Sequence, residues 1–165
     1  MPVCGCDGQT YCNECIAHMA GAVDVDASGT CMQPTEGGRA FYQPGGLDHL
    51  IVTLADPERD VCLRLYADAP MDMLPGYAVT MPRQWAVSNV EATNQAADCL
   101  SPFDTPMGDR IYGSGASGAI AWPADEMIPC SLDADAVLLF TAPPAWLAEE
   151  EVFQAVGVEV ENGCL

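Results

Sequence analysis

Cysteine is the residue type whose number and spacing in this chain point most directly to chemistry. Nine cysteines occur in 165 residues, and five of them lie in the first 31 positions, namely Cys4, Cys6, Cys12, Cys15 and Cys31. The remaining four, Cys62, Cys99, Cys130 and Cys164, are widely spaced. Wide spacing favours disulfides between distant strands over a metal site, which usually shows a Cys-x-x-Cys pair. We therefore predict two disulfides among these four cysteines, with all three pairings open.

This cysteine usage indicates an oxidising compartment, so we expect a secreted or cell-surface protein. The first residues, MPVC, contain no basic or apolar leader. A chain of secreted type without a leader indicates a mature fragment, or a start placed too far downstream. No apolar run reaches the roughly 18 residues of a transmembrane helix, so we expect no membrane insertion.

The charge balance excludes one class of partner. Twenty-four acidic residues against five arginines give a formal net charge of −19. Such a chain repels the phosphates of nucleic acids, so we expect no nucleic-acid partner. It also has no basic run that would hold it on an anionic membrane surface.

The first 31 residues have clear local structure signals. Asp7-Gly8 in the stretch PVCGCDGQTYCNEC predicts a tight hairpin between two short extended segments. Asn13 is suited to cap a helix that starts at Glu14, and Gly21 is suited to end it. So small a unit buries too little apolar surface to be stable by burial alone. Its disulfides must therefore supply the missing stability, on the order of a few kcal/mol each.

From Pro2 to Cys31 this pattern, with AxxAG and a closing GTC, resembles the Kazal-type domain, a serine protease inhibitor and follistatin-like module. The CGCDG variant looks most like the short bacterial, secreted versions. The resemblance covers only residues 2–31 of 165, and we recognise no family in the remainder.

The resemblance implies a disulfide map for the module. Cys4 and Cys31 match the family's third and sixth cysteines, which pair with each other. Cys15 matches the fourth, whose family partner lies upstream of the Pro-Val-Cys motif, so Cys15 is our candidate for an unpaired thiol. Cys6 and Cys12 are additional to the family pattern and flank the predicted hairpin, which makes them candidates to bridge each other.

The family's inhibitory loop lies in the same upstream segment, so the resemblance implies a truncated module without its protease-contact loop. Asn13 matches the asparagine that braces this loop, and Tyr11 matches the tyrosine packed beneath it. Such loops inhibit because their rigid shape supplies the affinity. The resemblance thus implies a serine protease inhibitor-like protein that occludes a protease cleft non-covalently. The alternative is an extracellular binding or structural protein whose β-domain carries the interaction.

The rest of the chain shows the period-two pattern of strands. Leu50, Val52 and Leu54 share one face. Val61, Leu63 and Leu65 do the same beyond a turn at 56–60, with Arg64 and Tyr66 on the opposite face, and the two segments predict a hairpin. Further strands are expected at 77–81, 85–92, 118–122, 136–141 and 156–161, where Val156, Val158 and Val160 share a face. Pro143-Pro144 predicts a short helix at 145–155.

We therefore predict a mainly β protein: a small α+β Kazal-like module at residues 1–33, a linker at 34–46 and an antiparallel β-sandwich-like domain at 47–165. The linker is inferred from the glycines and prolines of this stretch.

Three other patterns do not indicate an enzyme, a metal or a cofactor. Residues 24–29 copy half of an EF-hand loop, but Thr35 stands where the loop needs a glutamate. Residues 113–118 fit G-x-G-x-x-G, yet no helical pattern follows, so we expect a loop between strands and no dinucleotide. Ser117 lacks the context of a nucleophile elbow, and His49 is expected at the surface or a strand edge.

Overall fold

Strands dominate the computed structural model, which describes residues 3–5, 10–11, 25–28, 38–46, 48–69 and 77–163. Within these ranges there is no α-helix, and a 3-10 helix spans Ala96–Leu100. The prediction of a mainly β protein is confirmed. Contacts divide the chain into two compact units, Met1–Gln33 and Pro34–Leu165. No helix of the described residues is long and apolar enough to cross a membrane.

The first unit contains a three-stranded antiparallel sheet. Its strands are β1 (Val3–Gly5), β2 (Thr10–Tyr11) and β3 (Val25–Ser28), in the order β2-β1-β3. Val3 pairs with Tyr11 and Cys4 with Thr10, as expected for two segments joined through Asp7-Gly8. The turn itself and the predicted helix from Glu14 lie outside the described residues.

The second unit is built on one nine-stranded sheet. Its strands are β4 (Arg39–Gln43), β5 (Asp48–Asp56), β6 (Val61–Ala69), β7 (Ala78–Thr80), β8 (Ala86–Thr93), β9 (Arg110–Tyr112), β10 (Gly115–Ala121), β11 (Ser131–Leu139) and β12 (Glu150–Glu161). The order is β7-β10-β11-β12-β4-β5-β6-β8-β9. Neighbours are antiparallel except for two parallel pairs, β7 with β10 and β4 with β12. The predicted β5–β6 hairpin is confirmed, with Asp48 opposite Ala69 and Asp56 opposite Val61.

The sheet consists of two halves that share one core. The half β7-β10-β11-β12 meets the half β4-β5-β6-β8-β9 through two residue pairs, Val160 with Ala40 and Glu161 with Phe41. Core side chains come from both halves, among them Leu50, Val52, Leu65, Ile120, Leu138 and Phe153. The free edges also approach each other, because the Tyr77 amide donates to the Val87 carbonyl over 3.2 Å.

The predicted helix at 145–155 is wrong. One turn follows the two prolines, with the Leu147 amide donating to the Pro144 carbonyl, and β12 then begins at Glu150. In this strand Glu151, Phe153 and Ala155 point inward with period two. The apolar positions fit the period-two pattern of a strand, and this strand pairs antiparallel with β11.

A bulge corrects the predicted face of the last strand. Val158 and Val160 are buried, but Val156 is 85% exposed. Gly157, with a φ of 63°, lies between Val156 and Val158, and the β11–β12 register shifts near it. Glycine tolerates this left-handed backbone conformation, so the alternation changes phase at this residue.

Two stretches that looked like loops contain strands. Arg39–Gln43, inside the segment assigned to a linker, forms β4 and pairs with β5 and β12. The second half of the glycine-rich motif lies in β10 rather than in a loop. Gly118 has a φ of 129°, and a Cβ there would meet the Asp135 carbonyl oxygen at 2.3 Å, so this glycine permits close strand pairing.

Candidate binding site

Strand β6 is buried on both faces, and this arrangement creates the candidate site. Val61, Leu63 and Leu65 face the core, as the alternation predicts. Cys62 and Arg64 point the other way and are buried as well, because the 3-10 helix packs on that face. We call residues 101–108 the clamped loop.

The Cys62–Cys99 disulfide attaches the 3-10 helix to β6. The Cα atoms of these residues are 5.4 Å apart, and 37 positions separate them in the chain. One of the predicted disulfides among the four spaced cysteines is thereby confirmed, and Cys130 is also disulfide-bonded. Cys164 lies outside the described residues.

A buried ion pair lies beside this disulfide. Arg64 and Glu91 occupy opposite positions on β6 and β8, and their side chains are 1% and 2% exposed. Arg64 Nη1 donates to Glu91 Oε1 over 3.0 Å, and Nη2 donates to the Asp98 carbonyl in the 3-10 helix. Buried charges are stable only when paired and hydrogen-bonded, so this pair ties two strands and the helix together.

Two further residues complete the environment of Glu91. Tyr66 Oη donates to Glu91 Oε1 over 2.7 Å, and Arg110 Nε lies 3.8 Å from Oε2. Burial, followed by the hydrogen bond to Glu91, raises the pKa of Tyr66 to about 12. Tyr66 therefore stays protonated at physiological pH and donates its hydrogen bond to Glu91.

The carboxylate of Asp98 holds the far end of the clamped loop. It accepts the amides of Met107 and Gly108 over 2.9 and 3.1 Å. Burial raises the pKa of Asp98, but hydrogen bonds from Met107, Thr93 and Gly108 outweigh that effect and lower the pKa below its ordinary value. The carboxylate is thus ionised and accepts two main-chain donors at once.

Two apolar side chains of the clamped loop point into solvent, Phe103 at 53% and Met107 at 73% exposed. The ring of Phe103 packs edge-on against Phe41, with centroids 5.9 Å apart. The guanidinium group of Arg39 stacks on the Phe41 ring. It also donates a hydrogen bond to the Leu100 carbonyl over 3.3 Å. We call Phe103 and Met107 the apolar tip.

The structure does not assemble a Ser–His–Asp set from the candidates weighed in the sequence. His49 Nδ1 contacts Asp68 Oδ1, so the histidine has a carboxylate partner. Ser117 lies on β10, which three strands separate from His49 on β5. His49 is half-exposed at the start of β5, as expected. Among the described residues, no group of three His, Cys, Asp or Glu is placed to hold a metal ion.

The predicted residues of the first unit stay predictions. Tyr11 lies in β2 and Cys4 in β1, and the side chains of this unit are outside the described part of the structure. The same holds for the proposed pairings of Cys4 with Cys31 and Cys6 with Cys12, the unpaired Cys15 and the loop-supporting Asn13.

Sequence reasoning missed Arg64, Glu91 and Asp98 as site residues. An available signal was a charged residue at the centre of each of two strands, Arg64 between Leu63 and Leu65 and Glu91 between Val90 and Ala92. Charges of opposite sign at the centres of two strands indicate an ion pair between those strands that another part of the chain buries.

No family model, curated protein or solved structure matches this chain.

Proposed function

We propose that the protein is a secreted or cell-surface binding protein whose second unit carries the interaction through the clamped loop. The observation that carries this proposal is the apolar tip on a fixed backbone. Binding orders flexible side chains and loops at a cost in free energy, and a loop that is already ordered avoids much of it. The disulfide, the Asp98 carboxylate and the Phe41 contact each restrain this loop.

The chemistry around the tip indicates the kind of partner. Phe103 and Met107 fit an apolar pocket, and aromatic residues are common energetic centres of protein interfaces. Asp104, beside Phe103, is exposed, as is Asp109 just beyond the loop. With a net charge of −19 on the whole chain, the favoured partner is a protein with an apolar pocket and a basic rim.

The experiment compares capture of extracellular proteins by three immobilised forms of the chain. We expect Phe103→Ala with Met107→Ala to lower the affinity for a captured partner at least about tenfold, as is typical for central interface residues. Val156→Ala is the matched control, because this valine is exposed on β12, outside the loop. Equal losses for both variants, or no loss for the tip variant, would contradict the proposal.

A second candidate function is Kazal-type inhibition of a serine protease by the first unit. The supporting observation is the antiparallel pairing of Val3–Gly5 with Thr10–Tyr11, the hairpin that the motif requires. In this proposal a Kazal-like α+β module precedes a β-sandwich-like domain, and inhibition is by non-covalent occlusion.

The cheapest test is the genomic sequence directly upstream of the Met1 codon. An in-frame segment with a further cysteine and a loop would support inhibition, and an in-frame stop codon would contradict it. The extended chain is then titrated against a panel of serine proteases. Inhibition that is lost in Asn13→Ala would support the bracing role of this residue, whereas no inhibition at micromolar protein favours the binding role alone.

A further inference from the structure

We propose that a cleft at the Asp48 end of the second unit binds an organic cation, an ammonium or guanidinium group on an apolar body. The cleft has a volume of about 400 Å³, and its lining includes Asp48, Ala69, Trp85, Met127 and Ile128. This volume falls in the range of small-molecule sites, which combine apolar walls with a few polar groups. It lies apart from the clamped loop, none of whose residues line it, so the inference goes beyond the proposed function.

Asp48 supplies the anionic group. Tyr42 Oη donates to its Oδ1 over 2.9 Å, and this is the sole hydrogen bond to the Asp48 carboxylate among the described residues. Burial and then the Asp48 carboxylate raise the pKa of Tyr42, so the tyrosine remains the donor. One carboxylate oxygen is thus oriented by Tyr42, and the other is available to a ligand in the cleft.

Hydrogen bonds hold the part of the cleft lining that carries Met127 and Ile128. Arg83 donates through Nε and Nη2 to the carbonyls of Ala124, Asp125 and Glu126, over 2.8 to 3.3 Å. It also lines the cleft, but it forms no ion pair with Asp48. Its backbone is held at a φ of 56°, a conformation that costs energy for a non-glycine residue and persists only when its surroundings fix it.

Arg83 therefore fixes the segment that carries Met127 and Ile128. Trp85 Nε1 adds a hydrogen bond to the Met127 carbonyl over 3.4 Å, and the Trp85 ring packs edge-on against Trp122. Arg83 repels a bound cation and the Asp48 carboxylate attracts it, so the cation is expected at Asp48.

The apolar body of the ligand then lies against Trp85 and Ile128. The Asp48 carboxylate, which lines the same cleft, favours a positively charged ligand over a neutral one of the same shape. The net charge of −19 adds a long-range attraction of the same sign. The Asp48 carboxylate, the Trp85 indole and the apolar wall together therefore fit a ligand with a cationic group on an apolar body.

The test uses benzylammonium as the probe, with benzyl alcohol and phenylacetate as neutral and anionic analogues of similar size. Binding to the whole chain is followed by the NMR shift of the Trp85 indole N–H, with the Trp146 indole as an internal reference. We expect benzylammonium to bind at least about tenfold more tightly than either analogue. Equal or tighter binding of an analogue, or equal shifts at Trp146, would overturn the proposal.

Two variants with the same net charge separate the local carboxylate from the global field. Asp48→Asn is expected to weaken benzylammonium binding about tenfold, and Glu159→Gln, at an exposed carboxylate on β12 that does not line the cleft, is expected to leave it unchanged. Equal effects of the two variants would overturn the proposal. If Asp48→Asn does not fold, Tyr42→Phe, which keeps the carboxylate, must retain binding within about threefold, and loss of binding would count against the site.

A last arm distinguishes the source of the cation. Acetyl-arginine amide, which represents a basic side chain of a partner protein, is compared with benzylammonium, which represents a free amine. Tighter binding of either one, weakened about tenfold in Asp48→Asn, supports the site and assigns its ligand class. Binding of neither one at millimolar concentration overturns it.

Discussion

Arg59 and Glu151 form a bidentate ion pair that joins the β5–β6 turn to the start of β12, although 92 positions separate them in the chain. The two N–O distances are 2.8 and 2.9 Å. Glu151 is buried and Arg59 is partly exposed. Burial raises the pKa of Glu151, but hydrogen bonds from Arg59 and from the Ala148 amide outweigh it and lower the pKa below its ordinary value. The pair closes the end of the core opposite to Asp48.

Removal of Arg59 leaves a buried carboxylate without its main donor. We expect Arg59→Met to lower the free energy of unfolding by about 2 kcal/mol, less than for a fully buried pair because Arg59 is partly solvated. Urea denaturation at neutral pH measures the change. Glu58→Gln, an exposed carboxylate in the same turn, is the control, and similar stability of the two variants would contradict the assignment.

The Arg64–Glu91 pair predicts a non-additive double-mutant cycle. Arg64→Met alone should destabilise the protein by about 3–5 kcal/mol, because Glu91 remains buried and uncompensated. Arg64→Met with Glu91→Met removes both charges, so the double variant should be more stable than the single one. Denaturant unfolding of the four proteins gives the coupling free energy. A double variant that is less stable by the sum of the single effects would show that the charges do not interact.

Asp98 predicts a pH dependence of stability. Its pKa in the folded state is lowered from the ordinary 3.8, so its stabilising contribution is complete above that value and is lost as the pH falls through the lower folded value. We expect Asp98→Asn to cost about 2 kcal/mol at neutral pH, since two main-chain amides lose a charged acceptor. The difference from the wild type should shrink below about pH 4.

Urea unfolding at a series of pH values measures this difference. Amide hydrogen exchange supplies a local readout, because the Met107 and Gly108 amides should exchange faster in the variant. Asp104→Asn serves as the control, since no hydrogen bond of its side chain is found in the described structure. If the stability difference between the wild type and Asp98→Asn stayed the same in acid, the lowered pKa of Asp98 would be contradicted.

The Cys62–Cys99 disulfide is expected to stabilise the second unit by about 4 kcal/mol, from the entropy of closing a loop of this length in the unfolded chain. The double variant Cys62→Ala, Cys99→Ala tests it in chemical denaturation. It is preferable to reduction, which also breaks the disulfide of Cys130. The variant should also lose protection at the amides of the 3-10 helix, and unchanged protection there would argue against the disulfide as the anchor of the clamped loop.

The sequence predicted the strands of the second unit well where one face was apolar and the other polar. The β5–β6 hairpin followed from alternating leucines and valines around a turn. Arg39–Gln43 was missed because glycines and prolines on both sides masked a short apolar segment. The residues after Pro143-Pro144 were misread because the two prolines suggested a helix start, whereas pairing with β11 required an extended chain.

The candidate site was the least predictable part. The alternation placed Arg64 on the face of β6 opposite the core residues, but it did not show that this face is covered. The burial of Arg64 depends on the 3-10 helix, more than 30 positions away and attached through Cys99. Spacing alone left the pairing of Cys62 open, and only the tertiary fold brings it to Cys99. Asp48 and Trp85, at the cleft, are likewise brought together by the fold and have no motif in common.

The parallel pairing of β4 with β12 has a consequence for folding kinetics. Arg39 and Glu161, which form an ion pair beside this junction, are 122 positions apart, so the two halves of the sheet join only after almost the whole second unit has been synthesised. Until then β4 exposes an unpaired edge, which is a template for association with other chains. Contacts of such long sequence separation slow folding. A nascent chain of this protein is therefore expected to depend on protection of that edge by a chaperone before β12 arrives.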